Sequence, residues 1–184
     1  MDFLKTEISG VVLVTPFYSA DDRGSVIKDY SEKNFLDNGI EFVPKETLYI
    51  SSRKKVLRGL HFQRIKGQAK LIRCIIGSIF GVVVDLRLES PTLGRWISYE
   101  LDQKRREELF IPDGCAFGSL ALEDALIVCK CGENYYKEYD DGIKWNDTDL
   151  NIRWPIKDNL IISPKDRKLQ SFRSYLMKAR EGIE

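Results

Sequence analysis

The stretch VLRGLHFQ, residues 56–63, contains His61, the only histidine among 184 residues. An imidazole titrates near neutral pH, so it is suited to removing or donating a proton. Sites that hold a transition metal through two or three histidines are excluded, because no second imidazole exists to complete them. We therefore expect acid–base chemistry at His61, without a metal.

Three cations lie near His61 in the sequence or in a turn that precedes it. Arg58 comes three residues before it, Lys70 nine residues after it, and Arg23 lies in the turn DDRG. Arginine binds phosphate through paired hydrogen bonds, whereas lysine acts as a point charge. An apolar strand region that gathers cations is expected to meet an anion, although each cation taken singly is also explained by a surface salt bridge.

The composition excludes several classes of partner and location. Lys and Arg number 29 against 28 Asp and Glu, so no blanket positive charge points to nucleic acid or to an anionic membrane. No apolar stretch approaches the roughly 20 residues of a membrane span, and MDFLKTEISG lacks the features of a signal peptide. We expect a cytoplasmic protein with free thiols at its four cysteines, which are Cys74, Cys115, Cys129 and Cys131.

Strand patterns dominate the elements that would position these residues. Residues 79–88, IFGVVVDLRL, alternate with period two and predict a strand with one apolar face. Gly77 and Ser78 come just before, so residues 71–86 are interpreted as a hairpin with a short turn. Further strands are predicted at 11–14, 25–30, 47–51, 96–101, 108–112 and 125–131. Many short strands separated by turn residues favour a sandwich or a barrel.

Helical patterns are scarce. Residues 31–39 predict a short helix with Ser31 as its N-cap and Gly39 at its end. Near the C-terminus, Leu169, Phe172 and Leu176 recur at helical spacing and predict a docked terminal helix. The sequence thus predicts one domain, residues 1–184, with a helical tail from about residue 166.

Several short blocks, taken in order, resemble a known family. DDRG, VLRGLHFQ, AKLIRC, GVVVDLRLESPTLGRW, LFIPDGCAFGSL, ENYY, GIKWND and ISPKD are similar to the blocks of the dTDP-4-dehydrorhamnose 3,5-epimerases and related nucleotide-sugar epimerases, over residues 8 to 168. The resemblance implies an all-β antiparallel jelly-roll (cupin-like) barrel with short peripheral helices. It also implies a homodimer that needs no cofactor and acts on a nucleotide-diphosphate 4-keto sugar.

The resemblance also implies catalytic roles. His61 matches the base that removes a proton beside the 4-keto group, and Asp166 matches the carboxylate that orients this base. Tyr136 matches the acid on the opposite face, and Lys70 matches the cation beside the enolate oxygen. Such roles agree with the chemistry, because inverting a carbon beside a ketone needs one proton-transfer group on each face.

The same correspondence implies the substrate-binding residues. Arg23 and Arg58 match cations that hold the diphosphate, and the remaining positions are Gln63, Glu46, Phe117 and Lys165. This recognition shell departs from the family pattern. Phe117 replaces a second pocket histidine, Glu46 and Leu48 replace amides, and Lys28 replaces a carboxylate. These departures leave open the nucleotide, and whether one or two carbons are inverted.

The sequence therefore predicts an epimerase of a nucleotide-linked 4-keto-6-deoxy sugar or related heptose, inverting C3, C5 or both through an enolate in bacterial surface-polysaccharide biosynthesis. One alternative is a ketoisomerase of the same fold, which moves the carbonyl between C3 and C4. Another is a nucleotide-sugar binding protein with little turnover. The pairing of His61 with Tyr136 favours an enzyme, because binding alone needs no acid opposite a base.

Overall fold

The fold is described from a computed structural model, which covers residues 1–181. Its elements, in chain order, are β1 (Asp2–Lys5), β2 (Val12–Thr15), β3 (Phe17–Asp21), β4 (Gly24–Lys28), α1 (Glu32–Asp37), β5 (Glu46–Ser52), β6 (Val56–Gln63), β7 (Lys70–Ile76), β8 (Ser78–Asp85), β9 (Trp96–Asp102), β10 (Glu108–Ile111), β11 (Cys115–Ala121), β12 (Ala125–Cys131), β13 (Asp140–Gly142), β14 (Ile161–Ile162) and α2 (Phe172–Glu181). A 3-10 turn covers Asp166–Lys168. Neither helix has the length and apolar character that a membrane span requires.

Two sheets face each other. The six-stranded sheet has the order β1-β2-β10-β7-β12-β5. The second sheet follows the five-strand order β13-β6-β11-β8-β9, for which it is called the five-stranded sheet, and β14 adds a further strand beside β6. All pairings in both sheets are antiparallel except the short β14, which pairs with β6 in parallel. The strands β3 and β4 form a separate hairpin that joins neither sheet. The structure thus has the antiparallel two-layer architecture that the strand patterns predicted.

The core lies between the inner faces of the sheets; α1 helps cover the outer face of one sheet, and residues 143–162 together with α2 cover the outer face of the other. Inner-face residues such as Ile72, Val83 and Leu109 are buried in one cluster. Phe35 of α1 is fully buried against the outer face of the six-stranded sheet. Tyr175 of α2 packs on Phe62 of β6, behind the five-stranded sheet. Because side chains alternate along β6, burying Phe62 outward turns His61 inward.

The predicted hairpin at residues 71–86 is wrong. β7 pairs with β10 and β12 in one sheet, whereas β8 pairs with β9 and β11 in the other. Gly77 makes the crossing between them with a φ of +72°, and a Cβ atom there would lie 2.2 Å from the carbonyl oxygen of Asp124. A tight glycine turn suits a hairpin and a sheet-to-sheet crossing equally well, so local sequence does not separate them.

Both predicted helices exist with shifted bounds. α1 begins at Glu32, and Ser31 occupies its N-cap without making a side-chain capping bond. Gly39 follows the helix with a φ of +75°. At the C-terminus, the 3-10 turn at Asp166–Lys168 comes first and α2 begins only at Phe172. The helical spacing therefore located these elements better than it located their ends.

The β5–β6 cleft is the gap between strands β5 and β6. The two strands are joined by residues 53–55 and belong to different sheets, so they diverge from that connection. At the narrow end, Arg58 bonds back to β5 through Ser52. At the wide end, the loop of residues 132–139 hydrogen-bonds to both strands. The cleft holds most of the residues that the sequence singled out.

Candidate active site

His61 lies on the inner face of β6. It is opposite Phe117 of β11 on one side and Gly142 of β13 on the other. About a third of its side chain is exposed, whereas Phe117 is only 8% exposed and belongs to the core between the sheets. Phe117 therefore supplies a packed wall beside the imidazole and no hydrogen-bonding group.

The His61 imidazole is bound to a buried carboxylate. Nε2 of His61 lies 3.2 Å from Oδ1 of Asp166, and Oδ2 of Asp166 accepts a hydrogen bond of 3.0 Å from the backbone N–H of Gly59. The Asp166 N–H in turn donates to Oγ of Ser163, which fixes the 3-10 turn. Burial raises the pKa of Asp166, but the hydrogen bonds from His61 and Gly59 outweigh it, and the pKa falls to about 2. The carboxylate is therefore ionised at any working pH.

This contact decides which imidazole nitrogen is free. A carboxylate accepts the N–H of Nε2, which leaves the lone pair on Nδ1. Within residues 1–181, Nδ1 is buried and has no hydrogen-bond partner. An imidazole oriented through one nitrogen and unoccupied at the other is the arrangement that a general base requires.

Asp140 is a second carboxylate beside His61, and the sequence analysis missed it. Its Oδ1 lies 3.9 Å from Nδ1 of His61, too far for a hydrogen bond. Its Oδ2 accepts a hydrogen bond of 2.8 Å from the Tyr135 hydroxyl and pairs with Nζ of Lys165. The hydrogen bond to Asp140 raises the pKa of Lys165. In the sequence, Asp140 begins DDG, a pattern typical of a turn, so no signal distinguished it.

Lys70 begins β7, directly across from Cys131 of β12. Its ammonium donates a hydrogen bond of 3.1 Å to the carbonyl of Gln68. Burial lowers the pKa of Lys70, and the neighbouring thiols of Cys129 and Cys131 oppose that shift. A poorly hydrated ammonium held by a backbone carbonyl is suited to stabilise an anion that forms nearby.

Tyr136 lies on the loop of residues 132–139 at the wide end of the cleft. Its backbone N–H donates 2.9 Å to Oε1 of Gln63, and the neighbouring Tyr135 N–H donates 3.0 Å to Oε1 of Glu46. The Tyr136 ring is tilted against Tyr139, with centroids 5.7 Å apart. The sequence assigned Glu46 and Gln63 to substrate binding. In the structure, both side chains instead accept hydrogen bonds from the backbone of this loop.

Arg58 lies at the narrow end of the cleft and keeps an exposed side chain. Its Nε donates to Oγ of Ser52 and its Nη2 donates to the carbonyl of Ser51, both at 3.0 Å. These bonds hold the guanidinium across the end of the cleft and leave its remaining donors for an anion.

Arg23 is the one predicted site residue that the single chain keeps apart from His61. It lies at the tip of the β3–β4 hairpin, where its side chain is 90% exposed and pairs with Asp21 at 2.6 Å. The hairpin also exposes Phe17, Tyr18 and Val26 to solvent. The other predicted residues lie along the β5–β6 cleft or beside His61.

The cysteines contribute thiols to the core. All four are free and buried, and Sγ of Cys129 lies 3.5 Å from Sγ of Cys131 on the inner face of β12. The two side chains share this face because side chains alternate along the strand. No group of three or more His, Cys, Asp or Glu side chains within residues 1–181 is arranged to hold a metal ion.

Comparisons with known proteins agree with the resemblance. The family model described as dTDP-4-dehydrorhamnose 3,5-epimerase matches residues 5–174. A relative of that name from Methanothermobacter thermautotrophicus is 46% identical over 174 residues, which cover 93% of this chain and 94% of the relative.

Solved structures share the fold. The dTDP-6-deoxy-D-glucose-3,5-epimerase RmlC from Legionella pneumophila, in complex with dTDP-4-keto-L-rhamnose, has a TM-score of 0.90 at 32% identity, covering 94% of this chain and 93% of that one. A double mutant of ChmJ, a 3'-monoepimerase from Streptomyces bikiniensis, in complex with dTDP, has a TM-score of 0.89 at 28% identity, covering 98% and 90%. The predicted cupin-like jelly roll is thereby confirmed.

Proposed function

This chain belongs to the dTDP-4-dehydrorhamnose 3,5-epimerase family, a family of isomerases, and we propose that it inverts C3, C5 or both of a nucleotide-diphosphate-linked 4-keto-6-deoxy sugar or a related heptose. The observation that carries this proposal is the 3.2 Å contact between Nε2 of His61 and Asp166, with Nδ1 left free. A binding protein would gain nothing from an imidazole oriented in this way.

In the first step, Nδ1 of His61 takes the proton from the carbon beside the 4-keto group. The electron pair of the broken C–H bond forms a carbon–carbon double bond, and the negative charge moves to the ketone oxygen. Asp166 stabilises the imidazolium, and the Lys70 ammonium stabilises the enolate oxygen. Both groups stabilise charge that exists only during the reaction. Interactions that are stronger in the transition state than in the bound substrate are the ones that raise the reaction rate.

In the second step, a proton returns to the same carbon from the opposite face. We assign this proton to the Tyr136 hydroxyl on the family resemblance, which matches Tyr136 to the acid; the loop that carries it is fixed to β5 and β6 at the end of the cleft. The double-bond electrons take up the proton, the ketone re-forms, and the phenolate regains a proton from water while His61 releases its own. The sugar keeps its composition, so no oxidant or reductant is required.

A specific observation supports a second candidate for the acid. The ChmJ double mutant replaces a histidine by asparagine and a tyrosine by phenylalanine, at positions 70 residues apart. No tyrosine lies 70 residues after His61 in this chain: the tyrosines nearest to that spacing are Tyr135 and Tyr136, and the strand before them ends at Cys131. The Cys131 side chain lies across from Lys70, and a thiol is also able to donate a proton. We therefore test both residues below.

Substrate binding is assigned from charge and position. Arg58, exposed at the narrow end of the cleft, is the cation for the diphosphate. Lys165 is held beside the site through Asp140 and adds positive charge there. The dTDP and dTDP-sugar ligands of the solved neighbours make dTDP the first nucleotide to test. Because Phe117 and Leu48 replace polar residues of the family pattern, CDP- and GDP-linked sugars are also tested as substrates.

We further propose a homodimer in which the N-terminal segment of one protomer, including the β3–β4 hairpin, covers the cleft of its partner. The hairpin joins neither sheet of its own chain and exposes Phe17, Tyr18 and Val26. Exposed apolar side chains on a projecting element are typical of a surface that is buried by association. Arg23 at the hairpin tip would then reach a diphosphate bound by the partner.

Cellular context completes the proposal. Four free buried thiols fit a reducing compartment, so we place the protein in the cytoplasm. A deoxysugar epimerase there would supply an activated sugar for bacterial surface polysaccharide.

One screen tests the function against its alternatives. The protein is incubated in deuterium oxide with dTDP-, CDP- and GDP-linked 4-keto sugars and followed by proton NMR. We expect deuterium at C3, C5 or both, together with inverted configuration. A carbonyl that shifts between C3 and C4 would instead identify a ketoisomerase. Tight binding without deuterium entry on any of the substrates would identify a binding protein and contradict the proposal.

A further inference from the structure

The two sides of the His61 imidazole differ in chemical character. On the β11 side, His61 lies directly opposite Phe117, and the Cβ atoms of such cross-strand pairs are about 5 Å apart. On the β13 side its neighbour is Gly142, which has no side chain. The Asp140 carboxylate lies on that side instead, with Oδ1 3.9 Å from Nδ1 of His61. The base therefore lies between an apolar wall, formed by Phe117, and a polar wall that includes Asp140.

The apolar wall is fixed by its packing. Phe117 belongs to the core cluster together with Val83, its cross-strand neighbour on β8. Its ring lies over Gly81, where a Cβ atom would come within 3.2 Å of the ring carbon Cε2. The glycine thus leaves the room that the ring occupies. Because a phenyl ring neither donates nor accepts a conventional hydrogen bond, a sugar hydroxyl turned toward this wall loses its bonds to water without replacement.

The polar wall is built from charged and hydrogen-bonding groups. Oδ2 of Asp140 accepts a hydrogen bond of 2.8 Å from the Tyr135 hydroxyl and pairs with Nζ of Lys165. Both bonds go to Oδ2, so Oδ1 keeps its lone pairs for a hydroxyl group. The Lys165 side chain is 56% exposed, and its ammonium has three N–H donors. This wall is able both to donate to a sugar hydroxyl and to accept from it.

A 4-keto-6-deoxy sugar has two edges that match these walls. On one side of the ketone, C3 and C2 carry hydroxyl groups, whereas on the other side C5 carries a methyl group. One orientation of the sugar sets the hydroxyl edge against the polar wall and the methyl group against Phe117. The reverse orientation sets the methyl group against charges and the hydroxyl groups against the phenyl ring. Discrimination of this kind at an apolar surface amounts to about 10- to 100-fold.

We infer that Phe117 and the Asp140–Lys165 pair select the first orientation, so that the enzyme inverts C3 and leaves the configuration of C5 unchanged. Nδ1, the free nitrogen of His61, faces Asp140. In the selected orientation the C–H bond within its reach is therefore that of the hydroxyl-bearing carbon C3, and C5 reaches it only in the reverse orientation. Phe117 is thus a specificity-determining residue. This selectivity rests on the proposed function with His61 as the base, and it holds whichever residue returns the proton.

Proton NMR in deuterium oxide measures the selectivity within one substrate. The rate of deuterium entry at each carbon is divided by its rate in buffer alone, which removes the intrinsic difference in C–H acidity. For wild type we expect the normalised rate at C3 to exceed that at C5 by about 10- to 100-fold, with inversion at C3. Phe117→His gives the wall a hydrogen-bonding group and should reduce this preference about 10-fold. The matched control Phe117→Leu keeps the wall apolar and should stay within about 3-fold of the wild-type preference.

A modified substrate tests the same point without any variant. A nucleotide-linked 4-keto-3,6-dideoxy sugar lacks the 3-hydroxyl group, so the reverse orientation no longer places that group against Phe117. Wild type should then lose about 10-fold of its preference for C3. This measurement decides the question even if Phe117→His does not fold.

The outcomes separate the selectivity from the function on which it rests. Comparable normalised rates at C3 and C5 in wild type, or a faster rate at C5, would overturn the selectivity. Equal shifts in Phe117→His and Phe117→Leu, or an unchanged preference with the dideoxy sugar, would also overturn it. No deuterium entry at either carbon of any nucleotide-linked 4-keto sugar would instead overturn the proposed function, and the selectivity with it.

Discussion

At the scale of single residues, the imidazole of His61 lies between two carboxylates that act differently. Asp166 is hydrogen-bonded to Nε2 at 3.2 Å, whereas Asp140 faces Nδ1 at 3.9 Å and shares its charge with Lys165 and the Tyr135 hydroxyl. Asp166 therefore sets the tautomer and supports the imidazolium directly. Asp140 contributes a longer-range attraction that Lys165 partly cancels.

Replacing Asp166 by asparagine should be far more harmful than the same change at Asp140. Asp166→Asn removes the charge that fixes the tautomer, so kcat/KM should fall on the order of 10²- to 10⁴-fold, whereas Asp140→Asn should cost less than about 10-fold. Steady-state kinetics on both variants checks this order. Because the Asp166 pKa is about 2, its protonation should not limit activity between pH 5 and 8. Similar losses in the two variants would remove the special role of Asp166.

The two candidates for the acid give distinct results. With Tyr136→Phe, inversion should stop or slow by about 10²-fold or more, while deuterium still enters on the His61 face. With Cys131→Ser, both should stay near wild type. Proton NMR in deuterium oxide resolves inversion from exchange in each variant. Full inversion by Tyr136→Phe, together with its loss in Cys131→Ser, would transfer the acid role to the thiol.

Among the elements, β10 carries a buried carboxyl group that the proposed reaction does not use. Glu108 is fully buried, and neither of its oxygens has a hydrogen-bond partner within residues 1–181. It lies across from Arg73 of β7 and near the Lys130–Asp29 pair, which ties the end of the β3–β4 hairpin to β12. Burial and then Asp29 raise the pKa of Glu108 to about 8, against the opposing effects of Lys130 and Arg73.

Glu108 should therefore make stability fall as pH rises. The unfolded chain releases this proton near the ordinary value of 4.5 and the folded chain only near 8, so the folded state binds more protons between them. Stability should decrease through that window by up to about 1.4 kcal/mol per pH unit and level off above it. Glu108→Gln stays neutral and should lose this decrease. Thermal unfolding of both proteins from pH 5 to pH 9 measures it, and identical pH dependence would contradict the account.

The alternation at residues 79–88 predicted the strand β8, but its predicted single apolar face is wrong, because β8 is buried on both faces and ends at Asp85. β11 is also buried along its whole length and offers no period to detect. Which strands pair with each other was harder to predict from the sequence, as the wrong hairpin at Gly77 shows. A turn specifies the local path of the backbone and not the sheet that the next strand joins.

The site was readable only in part. Asp166 is far from His61 and Lys70 in the chain, and the resemblance to a family, not spacing, joined it to them. The structure brings His61 and Asp166 into contact because the 3-10 turn lies against β6, and Lys70 is near enough to interact with the charge of Asp140. Asp140 had no signal of its own, and the engagement of Glu46 and Gln63 with the loop depends on backbone positions that residue types do not specify.

For the whole molecule, the central prediction is that two protomers complete each other's sites. Light scattering should give the mass of a dimer. Arg23→Ala should keep that mass and raise KM about 10-fold or more, because a diphosphate loses a charged contact. The hairpin itself should remain folded, since within residues 1–181 the Arg23 side chain bonds to Asp21 alone, at the hairpin tip.

Mixing two variants tests whether Arg23 acts on the partner. His61→Asn protomers and Arg23→Ala protomers are unfolded together, refolded and assayed at low substrate concentration. A mixed dimer holds one site with the His61 of one chain and the Arg23 of the other, so sites with the wild-type KM should reappear. A monomer mass, or no recovery in the mixture beyond that of the Arg23→Ala protein alone, would refute the shared site.

The most direct test of the account is deuterium entry catalysed by His61→Asn, using the substrate that the screen identifies. Asparagine cannot accept the proton, so the substrate carbons should remain protonated at the uncatalysed rate, while circular dichroism shows the wild-type fold and titration shows retained substrate binding. The loss in exchange rate should be on the order of 10²-fold or greater. Deuterium entry near the wild-type rate in His61→Asn would contradict the assignment of His61 as the base.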